Sequence, residues 1–218
     1  MIRIRAFKAV DDREACDRYV KEHMEILKVF GITKITTANN SWTYNPNVYV
    51  IMAEDMVTGE PLGGARIQVY DKDNPLPIVT AVKDFDLSVI QLVEDCDKNG
   101  GTAEICGLWN SRKVAGLGIG TLYLSRAGVA MAAQLPISSM FVLCGEHTIG
   151  ITMEKGFELE ERLGNKGTFY YPKQDLVATA AIMRDIDTLS AAKKEDRERI
   201  LDLQRDLNHV KTETGGKE

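Results

Sequence analysis

Three alternating glycines, Gly116, Gly118 and Gly120, stand directly before an apolar run, Ile119 to Ala133. The run reads as a helix, and the stretch ahead, Thr102-Ala-Glu-Ile-Cys-Gly-Leu-Trp109, reads as a strand. Strand, glycine turn and helix together make an anion site. Without Cβ atoms the glycines let the backbone curl until several N–H groups point at one spot, and the positive end of the next helix favours a phosphate there. The common nucleotide fingerprints do not fit. Thr121, not Lys, follows Gly120, so this is not a P-loop, and no acidic residue occurs near Ser138 to Met140, where a dinucleotide fold needs one.

Other reactive side chains are sparse. Cys16, Cys96, Cys106 and Cys144 have no C-x2-C spacing, and there are 3 histidines, so no metal is expected and the cysteines read as reduced, buried thiols. His23 lies among apolar neighbours on a helical stretch and reads as structural. The 218 residues are 44% apolar and 27% charged, as in an ordinary globular chain. The formal charge of −5 argues against a nucleic-acid binder. No apolar run reaches the ~20 residues of a membrane span. The opening residues lack a signal peptide's apolar core, which gives a cytoplasmic expectation.

These candidates need elements to position them. Ile2–Lys8 alternates as a first strand, and Asp11-Asp12 can cap a helix over Arg13–Phe30 that stops at Gly31. Thr33–Asn47 reads as a loop. Val48–Glu54 and Leu62–Tyr70 form an antiparallel hairpin around Thr58-Gly59. Asp71–Pro77 breaks structure, and Phe85–Cys96 suggests a short helix. After the glycine turn and its helix comes a strand at Ile137–Cys144, parallel to the strand at 102–109 because a helix crosses between them. A short helix over Thr148–Lys155 follows. Glu158–Glu161 is expected to pair with Thr168–Tyr171, and Leu176–Met183 reads as the last strand. The fold class is α/β (α+β): a mixed β-sheet with helices on both faces, plus a C-terminal helix.

Residues 1–184 read as that domain, 185–211 as an amphipathic helix and 212–218 as a disordered tail. Ile200, Leu203, Leu207 and Val210 give the helix an apolar seam. It can pack on its own domain or, as a two-heptad coiled coil, support a homodimer.

This element order resembles the GNAT superfamily of acyl-CoA N-acyltransferases from about Ile2 to Met183. In that family an Arg/Gln-x-x-Gly-x-Gly/Ala turn binds the coenzyme A pyrophosphate through backbone amides. Gly118-Ile119-Gly120 fits its last three positions, while Ala115 stands where Arg or Gln is usual. The resemblance implies that Ala115, Gly116, Leu117, Gly118, Ile119, Gly120 and Thr121 cradle the pyrophosphate, with Arg112 or Lys113 supplying charge. It further implies that the strand backbone at Leu108, Trp109 and Asn110 holds the pantetheine arm and polarises the thioester carbonyl.

Ala103-Glu104-Ile105 is similar to the Ala-Glu-Ile of histone-type acetyltransferases, which implies that Glu104 is the general base. An ammonium must lose a proton before it attacks a thioester, and a partly buried carboxylate with a raised pKa can take it. The bland alternative is a Glu that pairs with a surface Lys. Regular alternation puts Glu104, Cys106 and Leu108 on one face and Ile105, Gly107 and Trp109 on the other. Lys155-Gly156-Phe157 looks like the family's Lys-Leu-Gly-Phe ending, yet the tyrosine that protonates the leaving thiolate falls near Thr152 or Met153. Water, Tyr170 or Tyr171 are the alternatives. Glu104-Ile-Cys-Gly-Leu-Trp109, with Leu124-Ser-Arg-Ala127, is also similar to arginine N-succinyltransferases, and Glu-x-x-x-Leu strands occur in homoserine-lactone and N-acyl amino acid synthases.

Three expectations follow. The first is transfer of an acetyl group from acetyl-CoA to a primary amine of a small molecule or peptide. The second is the same reaction with a succinyl or longer acyl-CoA, which a wide apolar space beside Trp109 favours. The third is an acyl-CoA-binding module without turnover.

Overall fold

The computed structural model describes residues 2–29, 31, 40–114, 120–206 and 210–211. Strand β1 (Ile2–Lys8) leads into α1 (Arg13–Val29), whose start is capped by Asp12: its Oδ1 accepts the Ala15 N–H at 3.0 Å. Gly31, with φ of +64°, ends that helix, a backbone angle that glycine adopts without a Cβ penalty. β2 (Val48–Asp55) and β3 (Pro61–Val69) form the expected hairpin. The Asp55 carboxylate accepts the Val57 and Thr58 N–H groups in the turn.

The next segment holds two helices where the sequence suggested one. α2 (Pro77–Val82) begins on a proline, which fits a first helical turn, and α3 (Ser88–Lys98) starts later than expected. β4 (Thr102–Asn110), α4 (Thr121–Ala132), β5 (Ser139–Gly145) and α5 (Glu146–Glu154) follow. Short β6 (Glu158–Leu159) and β7 (Thr168–Tyr170) precede β8 (Val177–Met183).

The sheet runs β6-β8-β5-β4-β3-β2-β1, with β7 also on β8. β4 and β5 are parallel, as expected from the crossover through α4, and the other pairs are antiparallel. The expected β6–β7 pairing is corrected. Both strands lie along the same edge of β8, since Ala180 gives its N–H to Gly167 and accepts from Glu160. Left-handed Gly164, Lys166 and Gly167 turn the connection so that its two ends follow one another along that edge.

Of the 185–211 segment, Lys194–Arg205 is helical (α6), and Val210–Lys211 forms β9 against Ile2 and Arg3 of β1, so β8 is not the last strand. Ile200 and Leu203, two of the seam residues, are buried in the core beside α4, and Arg126 Nε pairs with Asp196 at 2.7 Å. The tail at 212–218 lies outside the described residues.

Alternation along the strands separates two layers. On one face Ile4, Ile51, Ala65, Ile67, Ile105 and Met140 join the inner residues of α4 and α6 in one continuous core. On the other, α1 covers an aromatic cluster around Tyr19, Trp42 and Trp109, and α2 and α3 cover a second cluster around Phe141, Phe169 and Ile182. Gly128 of α4 seats that helix directly on β4: a Cβ there would stand 2.2 Å from Ile105 Cδ1.

Candidate functional site

β4 and β5 pair only over Thr102–Glu104 and Ser139–Phe141. Beyond that rung β4 stays with β3 and β5 stays with β8, so the two parallel strands part. Gly107 and Leu108 on one lip, and Val142, Leu143 and Cys144 on the other, are half-buried rather than sealed. The edge of β4 facing this opening carries backbone groups that the β4–β5 ladder does not use, a row on which an extended amide-bearing ligand can pair.

A bulge bends the same stretch. Between Gly64 and Arg66 of β3 the register gains one residue on β4, at Gly107, whose φ is +61°. Tyr19, fully buried, donates its hydroxyl to the Gly107 carbonyl at 2.6 Å and holds that peptide turned. The bulge overturns the regular alternation expected along β4. Leu108 packs with the α4-side core, beside Ile105, whereas Trp109 joins the Tyr19 cluster on the face of Glu104 and Cys106.

Glu104 lies on the last shared rung and is 2% exposed. Its Oε2 accepts the Ile78 N–H at 2.6 Å. Burial pushes its carboxyl up to about 8, although that N–H and the nearby Arg66 charge pull the other way. Such a group releases its proton near neutral pH, in the range a general base needs.

Arg66, diagonal to Glu104 across β3, is also 2% exposed. Its guanidinium lies 4.3 Å from the Trp42 ring centroid, and Nε reaches Cys106 Sγ at 3.2 Å. Nη1 has no hydrogen-bond partner, and no carboxylate pairs with Arg66 among the described residues. Burying an ion costs several kcal/mol, while a desolvated cation–π contact returns only ~2 kcal/mol and a thiol is a weak acceptor. Of the other buried carboxylates of this layer, Glu54 is already held by Arg3 and Arg5 and Glu160 by Arg162 and Arg184. His23 completes the surroundings: burial and Arg66 lower it to about 4, so it is neutral at pH 7.

No protein-family model matches the chain, and no curated protein matches it with significance. Solved structures do match. FeeM, an N-acyl amino acid synthase from uncultured soil microbes, superposes with a TM-score of 0.58 at 14% identity, over 87% of this chain and 99% of that one. Escherichia coli ElaA gives 0.59 at 10% identity, over 84% and 99%. An acyl-CoA N-acyltransferase from Pseudomonas aeruginosa gives 0.56 at 12% identity, over 84% and 99%. The chain has the acyl-CoA N-acyltransferase fold.

Within that fold the expected site residues fall as follows. Gly120 is the cap residue of α4 with no side-chain cap, so the first N–H groups of that helix are free of a capping side chain. Thr121 Oγ1 and Asn110 Oδ1 are 3.0 Å apart and tie the strand's end to the helix's start. Ala115, Gly116, Leu117, Gly118 and Ile119 lie outside the described residues. Lys113 is paired with Glu60, and Arg112 is exposed. Trp109 is 4% exposed with its ring edge-on to Tyr19, so the space beside it is filled. Thr152 Oγ1 donates to the Thr148 carbonyl at 2.9 Å, and Tyr170 sits on β7, on the far side of β8 from β5.

Burial pushes the Cys106 thiol up to about 11 and raises Cys144, which makes both unreactive at neutral pH. Among the described residues no group of His, Cys, Asp and Glu could hold a metal, and no helix is long and apolar enough to cross a membrane. Periodicity and motif alone pass over Arg66, Trp42 and Tyr19. The available signal is Arg66 itself, a charge inside the apolar run Leu62-Gly-Gly-Ala-Arg-Ile-Gln-Val69 on the period that points it inward.

Proposed function

We propose that this chain is an acyl-CoA N-acyltransferase that moves an acyl group, acetyl in the first instance, from coenzyme A to a primary amine. The observation that carries this reading is the parting of β4 and β5 immediately after Glu104, which sets a buried carboxyl beside an open strand edge. Proteins of the same fold support it: an N-acyl amino acid synthase, a coenzyme A-dependent acyl-homoserine lactone synthase and an acyl-CoA N-acyltransferase. The acceptor is a small-molecule or peptide amine, the enzyme works in the cytoplasm, and 1–184 is the transferase unit.

Coenzyme A supplies the activated thioester. The backbone of Leu108 to Asn110 aligns the pantetheine arm along the strand edge, and the uncapped start of α4 at Gly120 and Thr121 meets the pyrophosphate together with Ala115 to Ile119. Glu104 takes the proton of the acceptor ammonium. The amine nitrogen bonds to the acyl carbon as the C–S bond breaks, and the second proton the nitrogen must lose passes through water to the departing thiolate, since Thr152 is engaged with Thr148. A longer acyl donor is the second reading, and the likeness to FeeM, an N-acyl amino acid synthase, favours it.

A thermal-shift titration with coenzyme A, acetyl-CoA, succinyl-CoA and octanoyl-CoA tests the reading. A donor at a hundredfold excess over its dissociation constant adds about 2.7 kcal/mol of stability. Glu104→Gln should keep that stabilisation while turnover falls by ~10²–10⁴-fold, the usual share of a general base. Stabilisation by none of the four, or full turnover in Glu104→Gln, sinks the reading.

A further inference from the structure

Arg66 gives this layer a positive charge that no carboxylate among the described residues pairs with. Its guanidinium has one face on Trp42 and its Nε edge on Cys106, which leaves the Nη1 edge with hydrogen atoms and no acceptor. Trp42 Nε1, in the same stacked pair, is a second buried donor without a partner. Native proteins seldom leave such donors unmatched, and a guanidinium does not lose its proton to escape the cost. An orphaned guanidinium N–H and an orphaned indole N–H in one stacked pair suit a planar oxyanion brought from outside.

The position of the cation identifies which part of a ligand it meets. Arg66 pairs across the sheet with Cys106, one step along the same face from Glu104, which pairs with Gln68. Diagonal neighbours on antiparallel strands stand about 7–8 Å apart. One compact molecule spans that separation with an ammonium at the carboxyl of Glu104 and an oxyanion at Arg66.

We infer that the acceptor is an amino acid or a similar amino carboxylate, and that Arg66, with the indole N–H of Trp42, is the subsite for its carboxylate. This rests on the acyltransferase reading, in which Glu104 receives the amine. The subsite explains why β3 carries a charge among apolar residues and why Trp42 lies on it: a desolvated guanidinium that is already stacked loses little freedom when a carboxylate arrives.

The test uses the full chain with acetyl-CoA and octanoyl-CoA and follows release of the coenzyme A thiol. The acceptors are the protein amino acids, each beside its carboxamide and its decarboxylated amine. The free acid should exceed both analogues that lack the carboxylate by at least ~30-fold in kcat/KM, in line with the loss when a buried polar site is left unpaired. Arg66→Gln should raise KM for the acid by ~10²-fold, a loss at least ~10-fold greater than with the amide or the amine, and Arg66→Lys should fall between. Calorimetric titration of N-octanoylglycine against N-octanoylglycinamide reads the subsite without turnover, and only the acid should bind.

Amides or amines used as well as acids by the unmodified chain, or no preference for the acid in the calorimetric titration, overturn the subsite whether or not Arg66→Gln folds. An equal loss for acids and amides in Arg66→Gln marks a structural role and overturns it as well. Failure of the acyltransferase reading looks different: no coenzyme A binding in the thermal-shift titration, whichever acceptor is present.

Discussion

The two faces of one sheet have been given opposite tasks. Toward α4 and α6, the strands present Ile2, Ile4, Ile51, Ala53, Ile67, Ala103, Ile105 and Met140, an apolar surface that only has to pack. Toward α1, α2 and α3, the alternate positions of the same strands hold Glu54, Arg66, Gln68, Glu104 and Cys106, each nearly inaccessible to solvent. Since successive side chains point to opposite faces, each strand serves both tasks with no extra length. The strands bury their charge on the second face; on the first, the buried Lys155 and Asp196 stand at the end of α5 and on α6.

The largest effect should come from the packing face. Ile67 is fully buried there, so Ile67→Ala should lose ~2–5 kcal/mol through lost burial and the cavity left behind. The loss should be the same at pH 5 and pH 9, because no titrating group changes partner. Chemical denaturation at the two pH values checks this, and a strongly pH-dependent loss would break the division between the faces.

Two groups of the charged face contribute to how stability varies with pH, with opposite sign, beside Lys155 of the packing side, which burial lowers to about 8. Glu104 is raised from 4.5 to about 8, so between those values the folded chain keeps a proton that the unfolded chain has released. Stability therefore falls as pH rises through that window. His23 is lowered from 6.5 to about 4, so the unfolded chain binds the extra proton and stability falls as pH drops from 6.5 to 4. Glu104→Gln, which still offers an oxygen to the Ile78 N–H, should flatten the alkaline side, and His23→Gln the acid side, each by ~1–3 kcal/mol at the extreme. Midpoints of thermal unfolding from pH 4 to 9 decide it; unchanged slopes in either variant would remove that group from the account.

The packing face is also the more legible one in the sequence. Periodicity places β1, β2, β3, β4 and β5 within one or two residues, and the apolar run after Gly120 gives α4 together with the parallel pair it connects. Glu104 stands out as a candidate in the sequence because its neighbours Ala103 and Ile105 resemble a known strand. What does not show is anything that depends on a break in period. The bulge at Gly107 moves Leu108 and Trp109 to opposite faces from those that simple alternation assigns. α2 is too short to display a helical period, and its proline reads equally well as a breaker. β6 and β7 depend on left-handed turns whose direction the residue types alone do not fix. Arg66 is visible as a letter, yet its lack of a partner is a property of three dimensions.

The smallest effect concerns the bulge itself, where the two faces exchange residues. Gly107 has a left-handed φ, and a Cβ on it would stand 3.0 Å from Tyr19 Oη, the group that donates to its own carbonyl. Gly107→Ala should cost ~1–2 kcal/mol for the backbone angle, with a further increment from that close contact. Tyr19→Phe should cost ~1–2 kcal/mol, because it takes the donor from a part-buried carbonyl. In the double variant the hydroxyl that crowds the new methyl is gone, so the combined loss should be smaller than the sum by at least ~0.5 kcal/mol, the coupling expected of residues in contact. Strict additivity would mean that the two act separately and that the hydroxyl does not hold the bulge. Coupling of the expected sign would mean that one α1 side chain fixes where β4 changes register, and with it which face Trp109 and the open strand edge beyond Glu104 belong to.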